Sequence, residues 1–525
     1  MPCFCCRLLL CAVVLMLSGG LVSEVSAQSL PSTLRIRLGG DIRSTDPGVN
    51  RDANSDMVVM HIVEGLVAYR EDTSVGLLLA ESVNISADRR AYTFKLRRDV
   101  RFHNGAPLTA ADVLFSWRRY MAPQTHWRCL AEFDGRGTSK VVDINAPDAE
   151  TVVFTLEKPS ALFLTMLART DCGGTGIYHR DSIARNGKWV APIGTGPFKL
   201  ATWRRGQYVE LERNANYAAL PGRRDGFTGH KTAEVEKVRF TIIPDVSASK
   251  AALLSGSIDL IFDVDTEDLS ELRQRRDITL STSPTLNLNG ILLQSRQWPL
   301  SDVRIRRALA LSLDLPLLVS SVTTGMSQAS RSAIPLASRF YTAAQSAVPA
   351  RDLARARQLL AESGYKGESI KLLTTVRYKN MFEIAVLAQA MALEVGIRLE
   401  IEVHDWATLL DAYNKQKYDA MTFSFSSRVD PSLFYGTLVG IGAEQTGRVW
   451  NDSKAQALLN KSTASADPAE RQLVFDELDA LLLDDVPVIF MYSAVKIAAA
   501  RTDVSGYAGW PMSYPRAWGV KMRSP

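Results

Sequence analysis

The chain reads as an α/β protein of more than one domain. Its 525 residues exceed what one ordinary core can hold. Short runs of alternating apolar residues are interleaved with helical patterns, most regularly between 285 and 425. A hydrophobic content of 46% with 22% charged residues is that of a folded, water-facing protein. The formal charge of +5 is small for this length and its basic residues are spread out, so no nucleic-acid groove is indicated.

Residues 1–27 stand apart. Arg7 precedes the apolar run Leu8 to Leu17, and Val25-Ser26-Ala27 offers the small residues of a signal-peptidase site. The run is too short to favour a permanent membrane span. Cys11 falls too early for a lipid anchor. The reading is an exported, water-soluble protein with a mature start near Gln28. Cys3, Cys5, Cys6 and Cys11 leave with the leader. Cys129 and Cys172 remain, and an even pair in an oxidising compartment suggests one disulfide, the alternative being two separate buried thiols.

In order, Leu34 to Leu38 alternates as a strand ending at Gly39-Gly40-Asp41, and Met57 to Val67 has helical spacing. Tyr92, Phe94 and Leu96 form one face of a strand. Asn104-Gly105 supplies a turn, and Thr109 with Asp112 a capping box for the helix carrying Val113, Leu114, Phe115 and Trp117. Residues 138–158 read as a hairpin. The strand from Phe198 pairs with Tyr208 to Leu211 across Arg205-Gly206, and Val238 to Ile243 is a further strand. Ala248 to Leu254 is a helix closed by Gly256, and Ile258 to Phe262 a strand.

Farther on, Leu286 to Leu293 precedes a helix over Ser301–Leu313, and another spans Pro349–Ser363. Strands at Ile370–Thr375, Arg398–Val403 and Asp419–Phe425 alternate with helices at Phe382–Val395 and after the Asp405 cap, as in βαβ units. Asp467-Pro468-Ala469-Glu470 opens a last helix, and Val486 to Tyr492 is apolar enough to cross between lobes. The aromatic tail from Gly506 to Met522 is expected to pack.

Catalytic patterns are absent. His61, His103, His126, His179, His230 and His404 show no paired ligand spacing, so no metal site or other cofactor is expected. Neither a G-x-S-x-G elbow nor a G-x-x-x-x-G-K-[ST] loop occurs. An exported α/β hydrolase acting on peptides or glycosides stays open as an alternative, but the balance moves toward binding.

Residues 79–121, LAESVNISADRRAYTFKLRRDVRFHNGAPLTAADVLFSWRRYM, resemble the signature region of bacterial extracellular solute-binding proteins of family 5. Further matches follow in the family's order: GTGPFKLATWRRGQYVELERNANY (194–217), LLSGSIDL (253–260), PLSDVRIRRALALSLD (299–314), ARQLLAESGYKG (356–367), VHDWATLLDAYNKQKYDAMTF (403–423), RVDPSLF (428–434) and DVPVIFMY (485–492). The resemblance implies two α/β lobes joined by hinge crossovers, with a subdomain at about 65–185 inserted in lobe I. Lobe I would span 28–282, lobe II 283–490, and 491–525 would return to lobe I. It also implies a peptide-like or opine-like polar ligand held between the lobes and passed to the inner-membrane permease of an ABC importer. No bond would be broken, and the protein would act as a monomer.

In the family's peptide binders, an aspartate four residues before the proline of a D-P or E-P motif holds the peptide amine. Here Pro431 places that position on Ser427, which cannot replace a carboxylate in pairing an ammonium. The family's basic residue near the start of the helix before Gly396 falls on Phe382 or Glu383, with Arg377 and Lys379 nearby. Arg428, on the loop after a strand, is the candidate for gripping a ligand carboxylate. Asp430, Trp406, Asp41, Ser424, Ser426 and Ser427 complete the candidate ligand contacts, while Trp450 reads as structural.

Overall fold

The structure is a computed structural model describing residues 32–440 and 448–523. The leader at 1–27 lies outside these residues. Ten strands form one sheet, in the order Arg398–Val403, Ser369–Thr374, Ala420–Phe425, Ile278–Leu293, Val488–Arg501, Leu260–Ile261, Thr33–Leu38, Lys237–Ile242, Tyr208–Arg213 and Phe198–Arg204. The expected α/β, two-lobed architecture with crossover strands is the one observed.

Two long antiparallel strands, Ile278–Leu293 and Val488–Arg501, run through the middle and belong to both halves. Their ladder is regular from Ile278 to Pro284, breaks, and resumes at Leu288 opposite Ser493, with a second irregularity at Asn289/Gly290. Pro284 has no N–H to contribute to the ladder. At the break Thr285 Oγ1 donates to the Ala494 carbonyl (2.8 Å) and accepts from Asn287 N (3.1 Å). A side chain thus replaces a missing ladder bond. At Gly290 an added Cβ would stand 2.5 Å from the Ile489 carbonyl, so only glycine lets the two strands close there. Such an interruption lets a strand pair bend, and it marks the hinge.

On one side of the hinge, Thr33–Leu38 lies parallel to Lys237–Ile242, and Leu34, Ile36 and Leu38 are fully buried. On the other, Ser369–Thr374 pairs in parallel with Arg398–Val403 and Ala420–Phe425 through helices Lys379–Leu393 and Trp406–Lys415. These are the βαβ units expected from the alternation.

A separate four-stranded antiparallel sheet, in the order Ala80–Ile85, Ala91–Leu96, Thr151–Leu156, Val141–Asn145, packs against helix Ala110–Met121. Thr109 N donates to Asp112 Oδ2 at 3.0 Å, completing the capping box. The helix turns Trp117 edge-on to Phe154 and Phe133 in the buried core.

Cys129 and Cys172 of this region are buried and joined, with Cα atoms 5.6 Å apart and 43 positions between them in sequence. Reduction of that bond is expected to remove about 2–4 kcal/mol of stability by freeing the loop in the unfolded chain. Urea unfolding with and without reductant reads this directly.

The tail packs as expected. Trp510, Ala517, Trp518 and Val520 are buried, Arg516 pairs with Glu71, and Ala517 N donates to His61 Nε2 (3.1 Å). Burial pushes the His61 pKa down to about 4, which leaves that nitrogen an acceptor.

Three element readings need correction. The helix expected at Met57–Val67 is Ala53–Val59, capped by Asp52, and Val67–Tyr69 is a strand. Residues Met57 to Tyr69 are all buried, so their apolar run reflects enclosure on every side rather than helical period. The helix expected from Pro349 begins at Leu353, where Asp352 accepts from Arg355 N. The strand at Ile258–Phe262 shrinks to Leu260–Ile261.

Candidate functional site

A cavity of about 450 Å³ opens at the hinge end of the second lobe. Strand Ala420–Phe425 runs to its floor. Phe423 and Phe425 lie two positions apart and therefore share a face. Helix Trp406–Lys415 covers that face with Trp406 and Tyr413, spaced seven apart and so nearly aligned along one side. Its first turn is fixed by Asp405, which accepts from Ala407 N (2.9 Å) and Thr408 N (3.1 Å).

The rings form a continuous wall. Tyr413 stacks on Phe423 (4.8 Å, 22°), Trp406 lies 6.0 Å from Phe423, and Tyr378 meets Trp406 edge-on at 5.1 Å. Phe425 and Phe434 extend the wall toward helix Pro431–Leu438.

The polar side is built from both crossing strands. Ser424 Oγ donates to Asn289 Oδ1 (2.5 Å), to which Asn380 Nδ2 also donates (2.9 Å). Asn380 further reaches Tyr492 (3.3 Å). Ser427 Oγ is hydrogen-bonded to Asn287 Oδ1. No lining residue is acidic among the described residues, and Arg428 is their one cation.

Arg428 is half-buried. Its Nη1 donates to Ser426 Oγ (2.8 Å), Ser427 O (3.0 Å) and Ser426 O (3.3 Å), and among the described residues no carboxylate pairs with it. Burial, and then the nearby Arg169, lower its pKa. The disulfide loop of the first lobe supplies this electrostatic surrounding through Arg128, Arg169 and Asp171. Asp171 is already committed to Arg169 (2.8 Å) and Arg128 (3.0 Å), and Arg169 also to Glu132 (2.6 Å). Burial would raise the Asp171 pKa, but its two guanidinium partners outweigh it and hold the group ionised. The region is left electropositive, with Arg428 as the cation still open to a carboxylate.

The structure thus brings together Arg428, Trp406, Ser424 and Ser426, with Ser427 beside them. It places Asp430 and Asp41 elsewhere. Asp430 is 2% exposed, receives two hydrogen bonds from Arg471 (2.6 and 2.9 Å), and caps helix Pro431–Leu438 through Ser432 N. Asp41 accepts from Trp203 Nε1 (2.9 Å) and Gly206 N (2.8 Å), pinning the end of its strand to the Phe198–Arg213 hairpin. Both carboxylates serve the fold in this arrangement. Sequence reading missed Tyr378, Tyr413, Phe423, Phe425 and Phe434. The signals available were the two-residue period of the phenylalanines and the seven-residue spacing of Trp406 and Tyr413.

The two lobes meet across the cleft. Ala161 N donates to the Thr463 carbonyl (3.1 Å), Lys379 pairs with Glu267, and Val429 packs into the core of the small sheet.

The family model for bacterial extracellular solute-binding proteins, family 5, matches residues 74–444. The chain belongs to this family. It is 26% identical over 495 residues to the probable D,D-dipeptide-binding periplasmic protein DdpA of Escherichia coli K12, covering 91% of this chain and 92% of that one. Among solved structures, HbpA2 from Haemophilus parasuis superposes with a TM-score of 0.81 at 24% identity, covering 94% of this chain and all of that one. AgaA of A. tumefaciens R10, solved with agropinic acid, gives 0.70 at 25% identity, covering 94% of this chain and 99% of that one. Members of this family are binding proteins of ABC transporters rather than enzymes, so the hydrolase alternative has no support. No helix among the described residues is long and apolar enough to cross a membrane.

Proposed function

We propose that this family 5 protein captures a small carboxylate-bearing solute, peptide-like or opine-like, in the aromatic cavity and delivers it intact to an ABC permease. One observation carries the ligand class: Arg428 is half-buried at the cavity without a carboxylate partner among the described residues. A carboxylate would complete a charge-assisted, bidentate pair there. The absence of an acidic lining residue among the described residues, with Ser427 at the family's amine position, argues against a ligand held by its ammonium. The names of two similar proteins fit this range, one a probable D,D-dipeptide binder and one solved with agropinic acid.

The reading includes a periplasmic monomer released by cleavage after Ala27, with lobes at 28–282 and 283–490 and a C-terminal return from 491. The test is to extract and identify by mass spectrometry the small molecule that the exported protein carries, then titrate it and its methyl ester by calorimetry. Tight binding of the acid with at least tenfold weaker binding of the ester supports the reading. Equal binding of both contradicts it. Trp406→Ala is expected to weaken binding by about 0.5–1.5 kcal/mol through loss of one ring of the wall, read in the same titration.

A further inference from the structure

Arg331 is 4% exposed, and among the described residues its guanidinium has no hydrogen-bond or ion-pair partner. Its Nε is sealed from solvent without one. The other buried arginines are all paired: Arg97 with Asp99, Arg306 with Asp485, Arg471 with Asp430 and Arg516 with Glu71. Burial pushes the Arg331 pKa down only to about 10, so the group stays charged at neutral pH. A buried charge without a counter-ion is costly enough that an anion is expected to meet it.

The chain on either side of Arg331 lies along the hinge. Ser330 N donates to the Met491 carbonyl (2.7 Å), Ala329 bridges to Tyr492, and Leu336 N donates to Ser493 Oγ (3.0 Å). The segment therefore follows the second crossing strand up to the break in its ladder. Both ends touch the first lobe: Met326 takes a contact from Arg273 Nη2 (3.1 Å), and Ala337 packs against the small-sheet core. Arg331 lies midway along this strap, beside the hinge. Tyr492, the bridge partner of Ala329, shares the Asn380–Asn289–Ser424 network that borders the aromatic cavity.

We propose that Arg331 is an oxyanion-binding residue at the hinge, filled by a second carboxylate of the transported solute or by a free inorganic oxyanion. This rests on the solute-binding reading above and extends it. If the solute supplies the group, it carries two anionic groups, one for Arg428 and one for Arg331, and the second would hold the crossing strands in their bound geometry.

The test uses the mature chain from Gln28 and four probes: sodium sulfate at fixed ionic strength, N-succinyl-phenylalanine with two carboxylates, N-acetyl-phenylalanine with one, and N-acetyl-phenylalaninamide with none. Thermal unfolding and calorimetry are run on wild type, Arg331→Met, Arg331→Lys and Arg428→Gln. The expected result is that sulfate or the succinyl compound raises the wild-type melting temperature, and that Arg331→Met weakens that response at least tenfold. Arg331→Lys restores part of it, and Arg331→Met leaves N-acetyl-phenylalanine binding within twofold of wild type. Ligand-free Arg331→Met should melt no lower than wild type, because removing an unpaired buried charge relieves the fold. A preference for the succinyl compound over sulfate assigns the anion to the solute, and the reverse assigns it to a free ion.

The proposal is overturned if wild type responds to neither anion, if Arg331→Met responds equally, or if ligand-free Arg331→Met is markedly less stable. Should Arg428→Gln lose N-acetyl-phenylalanine while Arg331→Met keeps the succinyl compound, the cavity reading stands and this one falls.

Discussion

Arg471→Met is expected to lower stability by about 3–5 kcal/mol, because it strands the Asp430 carboxylate without a counter-charge in the interior. The two side chains are 4% and 3% exposed. Arg471 also donates to Ser432 Oγ (2.9 Å) and the Ser462 carbonyl (2.8 Å), so its loss breaks a network that ties helix Pro431–Leu438 to helices Ser453–Ala464 and Pro468–Asp485. The double variant Asp430→Asn/Arg471→Met should recover part of the loss, since no unpaired charge then remains buried. Urea denaturation of the single and double variants measures the difference. A single variant as stable as wild type would show that the pair does not hold the helix. Asp430 directly follows Val429 and Arg428, so the same variant should also disturb the loop that lines the cavity.

Arg428→Ala is expected to weaken an anionic ligand by about 1.5–3 kcal/mol, the range for a hydrogen bond to a charged group. The effect should be selective, with little change in folding stability, because among the described residues the guanidinium bonds only to Ser426 and Ser427 of its own loop. Calorimetry with the extracted solute gives the affinity and chemical unfolding gives the stability. Unchanged affinity would remove Arg428 from the site. A large fall in stability would make its role structural.

The contrast between Arg428 and Asp430 shows what the chain order reveals. The position of Arg428 was legible because it is local, a loop at the end of a strand; that it bonds to Ser426 and Ser427 and pairs with no carboxylate among the described residues is visible only in the structure. Asp430 stands two residues away and looks equally available, yet its partner arrives from 41 positions later. Asp41 is similar, since Trp203 reaches it across 162 positions. Carboxylate pairing of this kind is a tertiary fact that spacing cannot display. The crossing strand Ile278–Leu293 was legible only in its buried second half, from Leu286: the first half, ITLSTSP, is mostly part-exposed, rich in small hydroxyl residues and closed by proline, so no apolar alternation marks it. Helix Trp406–Lys415 and strand Ala420–Phe425 were legible, because an aspartate cap and a run of apolar and hydroxyl residues signalled them in sequence.

The central claim is that the lobes bend about the interruption at Pro284–Leu288 to enclose a solute against Arg428. Small-angle X-ray scattering of the ligand-free and solute-saturated protein tests it most directly. A fall in the radius of gyration on saturation, absent for Arg428→Ala at the same solute concentration, is the predicted result. An unchanged scattering profile from wild-type protein shown by calorimetry to be fully occupied would contradict it.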